Sequence, residues 1–394
     1  MEASPLFATA NEIEQIIRNE FGLTPTEFPK SEILVVQAIL DINAYEVRMC
    51  DSNVQAVYTL ASLAEHNCNP NTHKTICSNS LELTFRAATD IPQGAHISTT
   101  YCDILWPTWH RQKYLQWSKF FICKCERCLS PTELGSHLAA IVCMDCSKSR
   151  ETVPAVPLLS ENESWETIAK NYHCTTCNTI FPAYECQLTF KKAEHELSEL
   201  DKDVSTESIP AFEHWLNKWT LTEQILSSGA CERKDDDRDE INKTAHMEIP
   251  HRQTAKCYAR ILLHPKHSLI LDACHTMFLL YPKEDCTINQ LKRKECFGTH
   301  LLKATKPLFT GISKFRGTIL YELAMTKAAI LVHQLEDQGM MDSLRHLAEE
   351  VLQLLHESQE LLKYEPIDQP EGHLAQTGAS QLEQLTLFFS ELFS

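Results

Sequence analysis

The chain has 394 residues, 43% of them hydrophobic and 23% charged. That composition excludes a disordered polymer, and the length admits two or three domains of ordinary size. The formal net charge of -17 argues against a broad phosphate-binding face, since nucleic-acid readers carry a basic stripe, but it suits a basic protein tail as partner.

In chain order, a short helix is predicted over residues 11–22. Asn11 is its N-cap, Ile13, Ile16, Ile17 and Phe21 share a face, and Gly22 ends it. A second helix is predicted from Ser31 through Ile42. The apolar run VQAVYTLASL, residues 54–63, leads into AEHNCNPNTHK, residues 64–74. That stretch concentrates a cysteine, two histidines and three asparagines, and alone it reads equally as a polar turn or as chemistry. LELTFRAATDI, residues 81–91, alternates Leu81, Leu83 and Phe85 inward at strand period. A turn is expected over 92–95, then a short strand in HISTTYCD, residues 96–103, and a helix over 107–119. Residues 123–177 hold three cysteine clusters and little else that is regular. From about residue 183 the pattern is helical, interrupted by a charged, apolar-poor segment at 229–248 that is expected to be a mobile loop. The clearest helical stripe runs from Asp342, with Leu344, Leu347, Val351, Leu354, Leu355 and Leu361. The last helix is expected from Ser380, with Leu382, Leu385, Phe389 and Leu392. These stripes read as helix–helix core.

No apolar run reaches the about 18 residues that a membrane span needs. The opening MEASPLFATANEIEQ lacks the basic region of a secretory signal. Seventeen cysteines without such a signal point to a reducing compartment, cytoplasm or nucleus, where clustered cysteines more often hold metal than form disulfides. FICKCERC places Cys123, Cys125 and Cys128 in a C-x-C-x-x-C pattern, three thiolates of a tetrahedral zinc site with the fourth ligand elsewhere. Cys143 and Cys146, in CMDC, and Cys174 and Cys177, in CTTC, form a four-cysteine set of the zinc-ribbon kind with a long connection. A redox C-x-x-C is the competing reading, and the lack of a thioredoxin-like βαβ pattern around either pair favours zinc. The remaining cysteines, Cys102 among them, lack ligand spacing and read as ordinary thiols. A nucleic-acid-binding ribbon is weakened by its few basic residues.

Cys68 is a candidate fourth ligand for the C-x-C-x-x-C zinc, and it completes a recognisable order of motifs. EHNCNPN resembles the N-H-S-C-x-P-N motif of SET-domain methyltransferases. IPQGAHISTTYCD resembles their strand–turn–strand segment ending in Tyr-x-Asp, and FICKCERC their post-SET zinc motif. Order and spacing are similar to the SET- and MYND-domain (SMYD) lysine methyltransferases, and residues 102–143 look most like the arthropod SmydA-type branch. The likeness covers most of residues 30–330.

The resemblance implies an α+β fold. A partial SET β-fold with helical inserts would occupy residues 1–120, with the insert at about 11–60 and the SET core at about 61–105. A post-SET zinc motif would follow at 121–135, a zinc-ribbon insertion at 136–182 and a mainly α-helical C-terminal domain at 183–394. It implies S-adenosylmethionine as cofactor, two zinc ions, and a protein or peptide substrate that presents a lysine. By the same resemblance His66, Asn67, Asn71 and Phe121 meet the cofactor, and Cys68 joins Cys123, Cys125 and Cys128 on zinc. Tyr101 becomes the active-site tyrosine, although without the family pattern it reads as a strand tyrosine with a surface hydroxyl. Attack on a sulfonium methyl group needs a neutral lysine, and an apolar channel disfavours the ammonium form that otherwise persists to about pH 10.4. A tyrosine oxygen then orients the amine.

Three departures stand out. The 394 residues contain no G-x-G and no cysteine before Cys50, so the family's cofactor-cradling turn and MYND module are absent from them and the chain is expected to be N-terminally incomplete. Glu65 stands where the motif has Asn, and Lys119 where an aromatic often lines the lysine channel. The expected function is therefore protein-lysine N-methylation. The alternative is a catalytically inactive, zinc-stabilised SET-like interaction protein.

Overall fold

The computed structural model describes residues 5–49, 52–147, 152–159, 169–226, 261–282, 286–309, 311–335 and 341–393. The segment expected to be a mobile loop lies outside them, as do Cys50, Cys231 and Cys257. The chain divides into two compact units, residues 1–102 with 112–123, and residues 103–111 with 124–394.

The first unit opens with α1 (Pro5–Asn19) and α2 (Lys30–Asn43). Asn11 is inside α1 and is not its cap; its side-chain carbonyl accepts from Lys30 Nζ at 2.8 Å. The proline in the first turn, where an N–H is unsatisfied anyway, lets the helix start earlier than the polar cap signal suggests. Gly22 follows the helix at φ +64°, the left-handed conformation that suits glycine there. α2 ends at a pair of carbonyls, Asp41 and Ile42, to which Lys119 Nζ donates at 3.1 and 2.6 Å. A lysine satisfies the orphan carbonyls of a helix C-terminus and complements its dipole.

Short strand pairs follow. β1 (Tyr45–Arg48) and β2 (Asn53–Ala56) are antiparallel. β4 (Thr72–Ile76) and β5 (Leu83–Ala87) are antiparallel in a register that begins at Ile76 opposite Leu83. β3 (Glu65–His66) runs parallel to β6 (Ser98–Thr99). The alternation expected from Leu81 begins only at Leu83. Leu81 belongs to the connection, is 45% exposed and has φ +57°. The segments on either side of the 92–95 turn do not pair with each other: β5 returns to β4, and β6 crosses to β3. The turn itself is present, with Ala95 N–H donating to the Pro92 carbonyl at 3.0 Å and Gly94 at φ +84°. α3 (Thr108–Lys119) forms where predicted.

The second unit contains α4 (Glu126–Leu129) and an antiparallel sheet in the order β10-β9-β8-β7. Its strands are β7 (Ile141–Val142), β8 (Pro154–Leu159), β9 (Ala169–Cys174) and β10 (Ile180–Pro182). The expectation of little regular structure here is corrected. Two prolines disguise β8, because proline cannot donate to a ladder; the register shifts between Pro157 and Leu159, where a bulge tolerates it.

Helices make up the rest: α5 (Ala183–Leu200), α6 (Ile209–Trp219), α7 (Thr222–Leu226), α8 (Ser268–Leu280), α9 (Ile288–Thr305), α10 (Lys314–Gln334), α11 (Met341–Leu362) and α12 (Pro370–Leu392). α11 buries Leu344, Val351 and Leu355 of its stripe, packed with Tyr321, Ala324 and Phe389. α12 starts at Pro370 and not at Ser380; a proline in the first turn is pre-set for helix. A larger core joins the sheet to α5, α6, α8 and α9 through Tyr172, Phe190, Phe212, Phe278 and Phe297. At Gly298 a Cβ would stand 2.6 Å from the Phe278 ring, so only glycine permits this approach of α9 to α8. No helix of the described residues is long and apolar enough to cross a membrane.

Candidate functional site

In the first unit the chain crosses itself beside the β3–β6 pair, and Asn71 fastens the crossing. Its Oδ1 accepts the Ser98 N–H at 2.8 Å, and its Nδ2 donates to the His96 carbonyl at 2.8 Å. The Asn71 N–H donates to Ser98 Oγ, and Thr72 Oγ1 donates to the Ser98 carbonyl at 2.7 Å. A side-chain amide that both donates and accepts can satisfy a carbonyl and an N–H of the passing segment at once, which is why asparagine serves here. Asn67 Oδ1 accepts the Asn69 N–H at 2.9 Å, a local turn that shapes the loop.

His66 and Tyr101 are joined through this frame. The Tyr101 N–H donates to His66 Nδ1 at 3.0 Å, and the Tyr101 hydroxyl donates to the Ala64 carbonyl at 2.5 Å. The His66 ring lies 5.2 Å from the Tyr101 ring and 5.8 Å from that of Phe121, centroid to centroid. Four of the expected residues, His66, Tyr101, Phe121 and Cys68, are thus brought together. Burial raises the Tyr101 hydroxyl above its ordinary titration range, and the Glu65 charge adds to the shift. Glu65 itself is exposed and pairs with His96 at 2.8 Å. Lys119 is occupied at the end of α2, where burial lowers its pKa.

Cys68 and Cys123 approach to 3.9 Å, sulfur to sulfur. Cys123 is pinned by Gln112, which accepts its N–H at 2.9 Å and donates to its carbonyl at 2.6 Å. Cys125 and Cys128 belong to the second unit, Cys125 as the N-cap of α4 and Cys128 within it. Around Cys128 the second unit buries two guanidiniums. Arg111 and Arg127 are fully buried and share the Glu133 carboxylate, at 2.7 and 3.3 Å. Arg111 also donates to Cys128 Sγ at 3.6 Å. A guanidinium beside a sulfur favours its thiolate form, the form in which a cysteine ligates zinc. Sequence reasoning missed this trio; Glu133 sits at φ +51°, which no propensity signals. Replacing Glu133 with alanine is expected to cost about 3–5 kcal/mol, because it removes the carboxylate that both buried guanidiniums share. Urea unfolding of the zinc-loaded protein measures this, and an unchanged midpoint would refute the charge argument.

The second quartet is complete within one unit. The sulfurs of Cys143, Cys146, Cys174 and Cys177 all lie within 4.8 Å of one another. Cys143 follows β7, Cys174 ends β9, and the turn before β10 carries Cys177. The N–H groups of Thr176 and Cys177 point at Cys174 Sγ, at 3.3 and 3.4 Å. Such donors favour a thiolate. Thiols this close resist ionising together: burial pushes Cys143 up to about 11, while the Thr179 hydroxyl and backbone pull Cys177 down to about 6. A dication removes that conflict, and a closed set of four sulfurs is the donor set of structural zinc. The sequence-based reading passed over Cys102, whose sulfur lies within 4.8 Å of both Cys68 Sγ and a His66 ring nitrogen. Its one signal was its place next to Tyr101.

No family model matches the chain. The SET domain-containing protein SmydA-8 of Drosophila melanogaster is similar in two isoforms. Isoform B is 30% identical over 165 residues, covering 42% of this chain and 34% of that protein. Isoform A is 28% identical over 209 residues, covering 52% and 42%. The N-lysine methyltransferase SMYD2 of Bos taurus is 33% identical over 107 residues, covering 26% of this chain and 24% of its own length. The chain therefore spans less than half the length of these relatives.

Proposed function

This chain is a SMYD-type SET-domain protein of the SmydA-like kind, and from that premise we propose that it transfers methyl groups from S-adenosylmethionine to protein lysine side chains. The observation that carries the reading is the posture of Tyr101. Its O–H is committed to the Ala64 carbonyl, so the oxygen lone pairs are what it offers to an incoming amine. A hydroxyl fixed in this way orients a lysine nitrogen without competing to donate to it. When bound, S-adenosylmethionine supplies the electrophilic methyl group. His66 holds the Tyr101 backbone, Asn71 holds the loop crossing, and Phe121 supplies an apolar surface beside both. The side chains of His66 and Asn71 and the Asn67 oxygen are engaged in these internal bonds, so the loop meets an adenosyl group chiefly with its backbone.

We further propose that Cys68, Cys123, Cys125 and Cys128 share one zinc ion and that Cys143, Cys146, Cys174 and Cys177 share another. The convergence of Cys68 on Cys123 and the Arg111 guanidinium beside Cys128 Sγ support the first; the closed quartet supports the second. The net charge of -17 fits a lysine-bearing substrate on a basic tail, and the cysteine content supports cytoplasm or nucleus as the compartment. Glu65 favours the second reading, an inactive interaction protein, because a carboxylate replaces an amide donor at the loop.

Calorimetry of the zinc-loaded chain with S-adenosylhomocysteine separates the two. Micromolar binding is expected, retained in Tyr101→Phe. That variant should lose methyl transfer to a lysine-containing basic peptide by on the order of 10²-fold, the penalty of a misplaced nucleophile. A folded, zinc-replete chain that does not bind would leave only the interaction reading.

A further inference from the structure

Methyl transfer gives Cys102 no task, and neither quartet includes it. Its sulfur, the Cys68 sulfur and a His66 nitrogen lie within 4.8 Å of one another. Three such atoms invite a metal, but the tautomer of His66 opposes it. The Tyr101 backbone N–H donates to Nδ1, and a backbone amide can only donate. Nδ1 therefore presents its lone pair, and the neutral ring carries its proton on Nε2. That nitrogen lies 3.2 Å from Cys68 Sγ, so it donates to the sulfur. Binding a metal through Nε2 would demand an imidazolate.

The chemistry that remains is that of thiols. We infer that Cys102 and Cys68 form a peroxide-sensitive dithiol, oxidised to an intrachain disulfide. Cys102 is the point of entry because it is only partly buried, whereas Cys68 is 1% exposed. Hydrogen peroxide transfers one oxygen to the Cys102 sulfur, giving a sulfenic acid and water. The Cys68 sulfur attacks that sulfur, the S–S bond forms, and hydroxide leaves and takes up the remaining thiol proton. The two thiols give up two electrons and two protons, and the peroxide ends as two waters. Cys123 also lies near Cys68, at 3.9 Å, but it is buried and its backbone is clamped on both sides by Gln112. The link also reaches Tyr101. One His66 ring holds Cys68 through Nε2 and the Tyr101 N–H through Nδ1, and Cys102 is the next residue in the chain. Drawing Cys102 to Cys68 pulls on both bonds.

That oxidation also unloads zinc from Cys68 rests on the quartet proposed above; the disulfide itself rests on the His66–Cys68–Cys102 geometry alone. The full zinc-loaded chain is treated with hydrogen peroxide, quenched with N-ethylmaleimide and mapped by mass spectrometry without reduction, while a chromogenic chelator reports zinc release. The expected product joins the peptides of Cys68 and Cys102 and is reversed by dithiothreitol. Release should be about tenfold slower in Cys102→Ser, which lacks the oxidisable entry thiol, and unchanged in Cys77→Ser. A Cys68–Cys123 link, or Cys102 recovered only as its alkylated thiol, would overturn the dithiol. The Cys68–Cys102 link formed without zinc release would uphold it and overturn the zinc role of Cys68.

Discussion

Replacing Cys174 with serine is expected to unfold the β7–β10 sheet and to lower tightly bound zinc by one ion per chain. Cys174 is fully buried at the end of β9 and receives two backbone N–H groups. A structural zinc of four thiolates contributes on the order of 10–16 kcal/mol of apparent binding energy near pH 7, and that is folding energy where no preformed site survives unfolding. A domain holds only about 5–15 kcal/mol in total, so losing one ligand removes most of the margin. The damage should spread, because Cys143, Cys174, Ala155 and Tyr172 belong to the core that also contains Phe190 and Ala193 of α5. Zinc analysis together with hydrogen exchange of the sheet amides tests this. Chelation of the wild-type chain should reproduce the exchange pattern of the variant. Protected sheet amides after full zinc removal would show that the sheet stands without metal.

The clustering of Cys143, Cys146, Cys174 and Cys177 was legible because the spacing is local: each C-x-x-C places two sulfurs on one turn, and folding need only bring the two turns together. α3 and α11 were legible for the same local reason, since an apolar stripe at helical period has one dominant solution. What was not legible depends on neighbours remote in the chain. Leu81 fits the strand alternation, yet the pairing register with β4 begins at Leu83 and leaves it outside. β8 was hidden by Pro154, which is tolerated as the first residue of the strand, and by Pro157, which stands at a register shift that no single-strand pattern reveals. Lys119 appeared as a charge in a channel wall, while its partners are carbonyls of α2, about eighty positions away in sequence. Within the candidate site the residue types were predictable, but not their tasks. The ring of His66, expected at a cofactor, spends both nitrogens on Tyr101 and Cys68. Tasks of this kind follow from direction as well as proximity, and a sequence specifies direction only through the completed fold.

Between pH 7 and pH 5 the second unit is expected to lose several kcal/mol of stability, with the loss starting below about pH 6.5. The cause is a group of histidines held neutral, three of them buried and His137 half-buried. His264 and His267 flank Pro265 and Lys266. The His137 ring lies 5.5 Å from that of His264, and His300 Nε2 donates to the Pro265 carbonyl at 3.0 Å. The backbone fixes the neutral tautomers: Lys266 N–H donates to His264 Nδ1, and Leu269 N–H donates to His267 Nδ1, which caps α8. Burial lowers His300 to about 4 and His267 to about 3, and it holds His264 well below the usual range. His137 falls to about 4 through burial and the Lys266 charge, opposed by Glu133. In the unfolded chain the same rings protonate near 6.5. The unfolded state therefore binds more protons between about 6.5 and the folded values, and stability that is complete above that window drains as pH falls through it. At pH 5, 1.5 units below the unfolded value, His267 and His300 each account for about 2 kcal/mol. Urea midpoints at a series of pH values measure the slope. Zinc content at each pH separates it from acid loss of metal, since thiolates also take up protons. His300→Gln keeps a donor for the Pro265 carbonyl and removes one titrating ring, so its slope should be shallower by about 1.4 kcal/mol per pH unit. A midpoint that stays level to pH 5 with zinc retained would mean that these rings accept protons without unfolding, and the packing around Pro265 would then have to open to water in the native state.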